Sequence, residues 1–138
     1  MKKRLSILIV LLGVLSLLSA CEDKSLAKLT GESEHWKGKL VMTKPFKKEI
    51  SGTIAYSEYE LFVTYRGMVK KLDGVNTLEY GYATDSMGMS TELRFPDVPD
   101  DLTFSLKGKE TDQNAIDKDD TVTVLVRWDG QEETFTVE

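Results

Sequence analysis

The chain has 138 residues, with 18 Lys and Arg against 23 Asp and Glu, one His, one Cys and three Pro. That length holds one domain and excludes a two-domain enzyme, and a single cysteine excludes a framework of internal disulfides. The acidic balance, net −5, argues against a nucleic-acid binder.

Lys2, Lys3 and Arg4 form a basic start, and the apolar run 5–18 follows, interrupted only by Ser6, Gly13 and Ser16. A membrane-spanning helix needs about 20 such residues, and here the polar Glu22-Asp23-Lys24-Ser25 follows in place of a basic flank. Residues 1–20 therefore read as a secretory signal peptide. Leu18-Ser19-Ala20-Cys21 closes the segment. This stretch resembles the lipobox of bacterial lipoproteins, in which a Leu and two small residues precede a Cys whose thiol receives a diacylglyceryl group. The resemblance implies that Cys21 is the lipidation site and the first residue of the mature chain. Two acyl chains hold a protein stably to a bilayer where one does so only marginally, so the expected location is the cell membrane, lipid-anchored on its extracytoplasmic face.

Removal of the signal leaves 15 basic and 23 acidic residues, net −8, unevenly spread. Residues 35–72 carry eight basic and three acidic side chains, whereas residues 97–138 carry four basic and twelve acidic. Such asymmetry orients a domain over an anionic surface, and Lys37, Lys39, Lys44, Lys47 and Lys48 are the residues that would face lipid head groups or an anionic wall polymer. The plainer reading makes them solvated strand and loop residues.

Residues 21–33, polar and containing Gly31, read as the lipidated Cys and a flexible tether, with the folded domain spanning 34–138. Trp36, Gly38, Leu40 and Met42 alternate with Lys37, Lys39, Val41 and Thr43, the pattern of a half-buried strand that Pro45 ends. Ile50, Ile54 and Tyr56, then Tyr59, Leu61, Val63 and Tyr65, read as a hairpin turning at Ser57-Glu58. After the turn signal Asp73-Gly74, Leu78, Tyr80 and Tyr82 form one strand, and Met89, Thr91, Leu93 and Phe95 another. Leu102, Phe104 and Leu106 give a short strand, and the polar residues 107–120 read as a long loop around Ala115 and Ile116. In the last segment a two-residue turn at Asp129-Gly130 sets Val124 opposite Phe135, Val122 opposite Val137 and, on the other face, Arg127 opposite Glu132.

Seven to eight strands without a long helix make this an all-β protein, an antiparallel two-sheet sandwich of immunoglobulin-like architecture with Trp36 as a core aromatic. Gly31-Glu32-Ser33-Glu34-His35-Trp36-Lys37-Gly38 is similar to the opening Gly-Glu-Ser-x-x-Trp segment of some small lipoproteins of Bacillus-type bacteria, a resemblance that implies no activity.

No catalytic constellation emerges. The one histidine, His35, lies beside Trp36, no Gly-x-Ser-x-Gly is present, and an acylated Cys21 offers no thiolate. Glu58 with Glu60 and Glu132 with Glu133 are carboxylate pairs of the kind that cleave glycosidic bonds, but in so acidic a chain such pairs arise by chance. Asp112, Asp117, Asp119 and Asp120, and separately Asp97, Asp100 and Asp101, offer oxygens of the type calcium takes, without EF-hand spacing, and read as solvated loops. Met87 and Met89 are too few soft ligands for Cu(I). Tyr56, Tyr59, Tyr65, Tyr80 and Tyr82 share the period of their apolar neighbours and read as core. The expectation is thus no enzyme, no cofactor and no metal, but a non-enzymatic binding or interaction module. Its partners would be the membrane, through the lipid on Cys21, and an envelope protein or anionic wall polymer. An accessory or inhibitory subunit of an envelope enzyme or transporter is the alternative, followed by a calcium-binding sandwich or a carboxylate-based wall enzyme.

Overall fold

The computed structural model describes residues 27–44, 56–95, 97, 101–111 and 115–138. Eight strands run β1 (Lys28–Glu32), β2 (Trp36–Lys44), β3 (Tyr56–Tyr65), β4 (Thr77–Ala83), β5 (Gly88–Arg94), β6 (Thr103–Thr111), β7 (Val122–Trp128) and β8 (Gln131–Val137), with one 3-10 turn at Val69–Leu72. They form two antiparallel four-stranded sheets, ordered β1-β2-β3-β6 and β5-β4-β7-β8. Consecutive strands β1, β2 and β3 are neighbours in one sheet, so the likeness to the immunoglobulin fold is one of architecture and not of strand order. Among the described residues no helix is long and apolar enough to cross a membrane.

The alternation builds the core directly. Leu29, Trp36, Leu40, Tyr59, Leu61, Val63 and Phe104 of the first sheet meet Leu78, Tyr80, Tyr82, Val122, Val124, Val126 and Phe135 of the second, all buried. Trp36 is fully enclosed at one end, its ring edge-on to Tyr65 at 5.2 Å and to Trp128 at 5.4 Å between centroids. Asp129 and Gly130, at φ 46° and 70°, make the tight turn that pairs Val124 with Phe135 and Val122 with Val137.

The sandwich is closed along one edge. Thr30 and Glu138 exchange backbone hydrogen bonds at 3.1 and 3.2 Å, joining β1 to the end of β8. Gly31 and Gly38, paired across β1 and β2, make this approach possible. A Cβ on Gly31 would lie 1.9 Å from the Thr136 carbonyl oxygen, and one on Gly38 would lie 2.8 Å from the Phe135 ring.

Four expectations are corrected. Lys28–Glu32, within the segment read as a tether, forms β1, because Leu29 is buried and the strand pairs with β2 from Lys28↔Val41 to Glu32↔Lys37. Ser57-Glu58 is not a turn: it lies inside β3, which alternates without interruption from Tyr56 to Tyr65 and buries Ser57 completely. Ile50 and Ile54 lie outside the described residues. The absence of a turn reverses the parity of Tyr56, which stands on the outer face beneath the Lys109 ammonium at 4.6 Å instead of in the core. Finally, β6 continues through Lys107, Gly108, Lys109 and Glu110 to Thr111, where a loop was expected, with Gly108 and Glu110 on the inward face.

That extension buries a carboxyl. Glu110 faces Ser57 on β3 and is held above the usual carboxylate range by burial. The Tyr82 hydroxyl, pushed up to about 12 by burial and by the charges of Glu110 and Tyr59, lacks a hydrogen-bond partner among the described residues, as does the Ser57 hydroxyl.

Candidate functional site

β1 enters the sandwich at the end formed by Lys28, Val41 and Tyr59, and runs to a turn at residues 33–35 at the opposite end. With nine residues in β2 the two ends are about 30 Å apart. At the far end, three connections converge: the β1–β2 turn, the segment after β3 and the β7–β8 turn. Between them lies a cleft of about 460 Å³, lined by His35, Tyr65, Met68, Lys71, Trp128 and Gln131, together with Gly67 and Asp129. On its border Met68 is 68% exposed and Val69 38%, the large apolar side chains most open to solvent among the described residues.

His35 is held in one orientation. Its ring lies nearly parallel to Tyr65, with centroids 6.4 Å apart and planes at 9°, and it packs against Trp128 at 5.7 Å. Nδ1 meets the Glu133 Oε1 atom, while Glu133 Oε2 accepts from the His35 backbone N–H at 3.1 Å and from the Ser33 hydroxyl. The carboxylate partner places a ring proton on Nδ1. Burial pushes the Glu133 carboxyl upward, and the hydrogen bonds from Ser33 and His35 outweigh it, leaving the group below its ordinary value. Arg66 fastens the turn from the other side, its backbone N–H donating to the His35 carbonyl at 2.8 Å and its guanidinium to the Ser33 carbonyl.

Serine, histidine and glutamate thus meet, but in an order that does not activate a nucleophile. In a hydrolytic triad the imidazole sits between hydroxyl and carboxylate and takes the hydroxyl proton. Here the carboxylate is central, and the Ser33 hydroxyl donates to Glu133.

The other sequence candidates disperse. Glu58 and Glu60 project from the outer face of β3, Glu58 pairing with Lys109 at 3.7 Å. Glu132 and Glu133 point to opposite faces, and Glu132 binds Arg127 at 2.6 Å. Asp120 accepts from the Asp117 backbone N–H and Asp101 from that of Thr103, as local loop caps; Asp100 and Asp112 lie outside the described residues. Lys37 and Lys39 stand exposed on the outer face of β2, Lys39 over the Phe62 ring at 4.8 Å. Lys44 ends β2, and Lys47 and Lys48 lie outside the described residues. Met87 and Met89 pack against the core. Cys21 also lies outside the described residues.

A larger cavity, about 620 Å³, borders Glu58, Glu60, Lys107 and Lys109 at the end where β1 enters. It holds no histidine, and its Lys109 is already paired with Glu58. The His35 cleft is therefore the stronger site. No local sequence pattern joins Ser33 and Glu133 to His35, because Glu133 lies 98 positions from His35. One signal does exist: the inward parity of Val137 and Phe135 carries back to Glu133, a charge aimed at the interior beside a turn. Compared with protein-family models, curated proteins and solved structures, the chain matches none.

Proposed function

We propose that this chain is a non-enzymatic binding module, anchored on the extracytoplasmic face of a membrane by a lipid on Cys21, that presents the His35 cleft to an envelope protein. The observation that carries this reading is polarity of placement. The chain from Cys21 enters at the end of Lys28, and the cleft lies at the opposite end of the sandwich, where a domain tethered to a bilayer displays it outward. Exposed Met68 and Val69 beside the cleft supply the apolar contact that a protein partner takes. A centrally bonded carboxylate and a hydroxyl turned from the imidazole favour recognition over turnover.

A photoactivatable residue at position 68 tests the reading on living cells, with one at Thr134, on the outer face of β8, for comparison. A recurrent adduct from 68 that is absent from 134, and that disappears when Lys71 is replaced by Glu, is the expected result. Equal capture from both positions, or turnover of a wall or lipid substrate that is lost in His35→Ala, overturns it. The anchor is tested separately by labelling cells with radioactive palmitate: label is lost in Cys21→Ser, and label that survives the substitution refutes lipidation at that residue.

A further inference from the structure

We propose that Glu34, His35 and Glu133 form a binding site for a divalent transition-metal ion, with Zn²⁺ the best match, at the rim of the cleft. One ligand atom from each residue lies within 4.8 Å of the others, the only such grouping of His, Cys, Asp and Glu among the described residues. The donor set is an imidazole nitrogen and two carboxylates. Calcium and magnesium favour oxygen alone, whereas zinc takes mixed nitrogen and oxygen ligands and keeps a fourth position open when three come from protein.

The surroundings fit this use. Glu133 Oε2 is held by two donors, the Ser33 hydroxyl and the His35 N–H, which leaves Oε1 turned to the imidazole. Outer contacts of this kind orient the ligands of metal sites. Glu34 is exposed and, among the described residues, makes no side-chain hydrogen bond or ion pair, so its carboxylate can complete the set without breaking a contact there. The His35 and Glu133 side chains are 37% and 17% exposed, shielded yet open to an entering ion.

Coordination through Nδ1 removes the ring proton from that atom. An imidazole coordinated through Nδ1 carries its proton on Nε2. This inference goes beyond the reading of the cleft as a docking site and is independent of it. The ligands belong to the β1–β2 turn and β8, so failure to bind metal leaves the crosslinking outcome intact, and the reverse.

The chain has one histidine, which makes its imidazole a private reporter. The full chain in detergent micelles, with the Cys21 thiol blocked by alkylation, is titrated with zinc chloride while the ¹⁵N shifts of the His35 ring are followed. The expected result is a change of the ring shifts to the pattern of an Nδ1-coordinated imidazole with its proton on Nε2, saturating at one equivalent. Ser33→Ala should weaken binding about tenfold. Glu34→Gln, at an exposed position where folding is not at issue, should weaken it by at least as much, and His35→Gln should abolish saturable one-to-one binding measured by a competing chromophoric chelator. Glu132→Gln, adjacent to the site but facing the other way, should leave the affinity unchanged. A ring signal that does not move at millimolar Zn²⁺ overturns the proposal. So does an affinity equal to that of the parent chain in Glu34→Gln, since the ion then sits elsewhere.

Discussion

Gly31→Ala tests the seam that joins the two sheets. The added methyl would lie 1.9 Å from the Thr136 carbonyl oxygen and 3.2 Å from the Val137 Cα, both backbone atoms that no rotamer change can move aside. β1 must then retreat from β8, breaking the reciprocal hydrogen bonds between Thr30 and Glu138. Two backbone hydrogen bonds contribute about 1 kcal/mol each, and forcing an extra carbon into a packed interface costs about 1–3 kcal/mol more. The expected loss is about 3–5 kcal/mol, a large part of the roughly 5–15 kcal/mol that holds a small domain. With a urea dependence of about 1.5 kcal/mol per molar, the unfolding midpoint falls by about 2–3 M. Gly74→Ala is the comparison: its φ of +81° lies in the left-handed region and nothing crowds the site, so only backbone strain of about 1 kcal/mol applies. Amide exchange locates the damage, with Thr30 and Glu138 opening locally and losing nearly all protection, while Leu61 and Val63 in the middle of β3 lose only what the fall in global stability removes. A Gly31→Ala chain within about 0.5 kcal/mol of the parent would show that β1 and β8 are not a structural unit.

Glu110 sets a pH dependence of definite sign. Its folded pKa lies above its unfolded one, so both states are protonated at low pH, and stability is lost as pH rises through the folded value. Glu110→Gln should match the parent near pH 3 and exceed it in stability at pH 8 in urea unfolding; a variant less stable than the parent at pH 8 contradicts this. Tyr59→Phe removes the hydroxyl that accepts from the Ile116 N–H at 2.7 Å and donates to its carbonyl at 3.2 Å. With those buried groups unpaired the loss should be about 2–3 kcal/mol, accompanied by faster amide exchange at Ile116. Gly130→Ala should cost about 1 kcal/mol in thermal unfolding, because φ 70° suits glycine in the β7–β8 turn.

The strands most legible in the sequence are those whose inward positions are all apolar. Val122, Val124 and Val126 declare β7, and the turn arithmetic around Asp129-Gly130 fixes their partners, because a two-residue turn leaves no freedom of register. β6 is half-hidden for the converse reason. After Phe104 and Leu106 its inward positions are Gly108 and Glu110, so the period persists while hydrophobicity, the signal that reports it, stops. β3 misleads differently: Ser57 is a small polar residue at an inward position and resembles a turn, though strand pairing with Glu110 holds it in place. β1 is short, with Leu29 its single buried apolar residue, and one burial cannot define a period. The cleft is less legible still, since it is assembled from three connections distant in sequence, and connections carry no periodicity.

The cleft and the seam are nevertheless one mechanical problem. β8 is tied to the β1–β2 hairpin twice along the same edge, by Thr30 with Glu138 and by Ser33 and His35 with Glu133. The first tie is backbone alone and depends on the absence of side chains at Gly31 and Gly38. The second is made by side chains and holds the imidazole at the rim of the cleft. A ligand that bridges His35 and Glu133 joins a residue of each sheet, so part of its binding energy goes into holding the edge closed. By linkage, whatever opens the edge lowers that ligand's affinity by the same factor by which the ligand resists opening. Gly31→Ala, whose added carbon meets Thr136 and Val137, should therefore weaken zinc binding at the rim, whereas Gly74→Ala, of smaller cost and with nothing within 4 Å of the added carbon, should not. Equal affinities in the two variants would separate the site from the seam and confine the His35–Glu133 contact to a local role in its own turn.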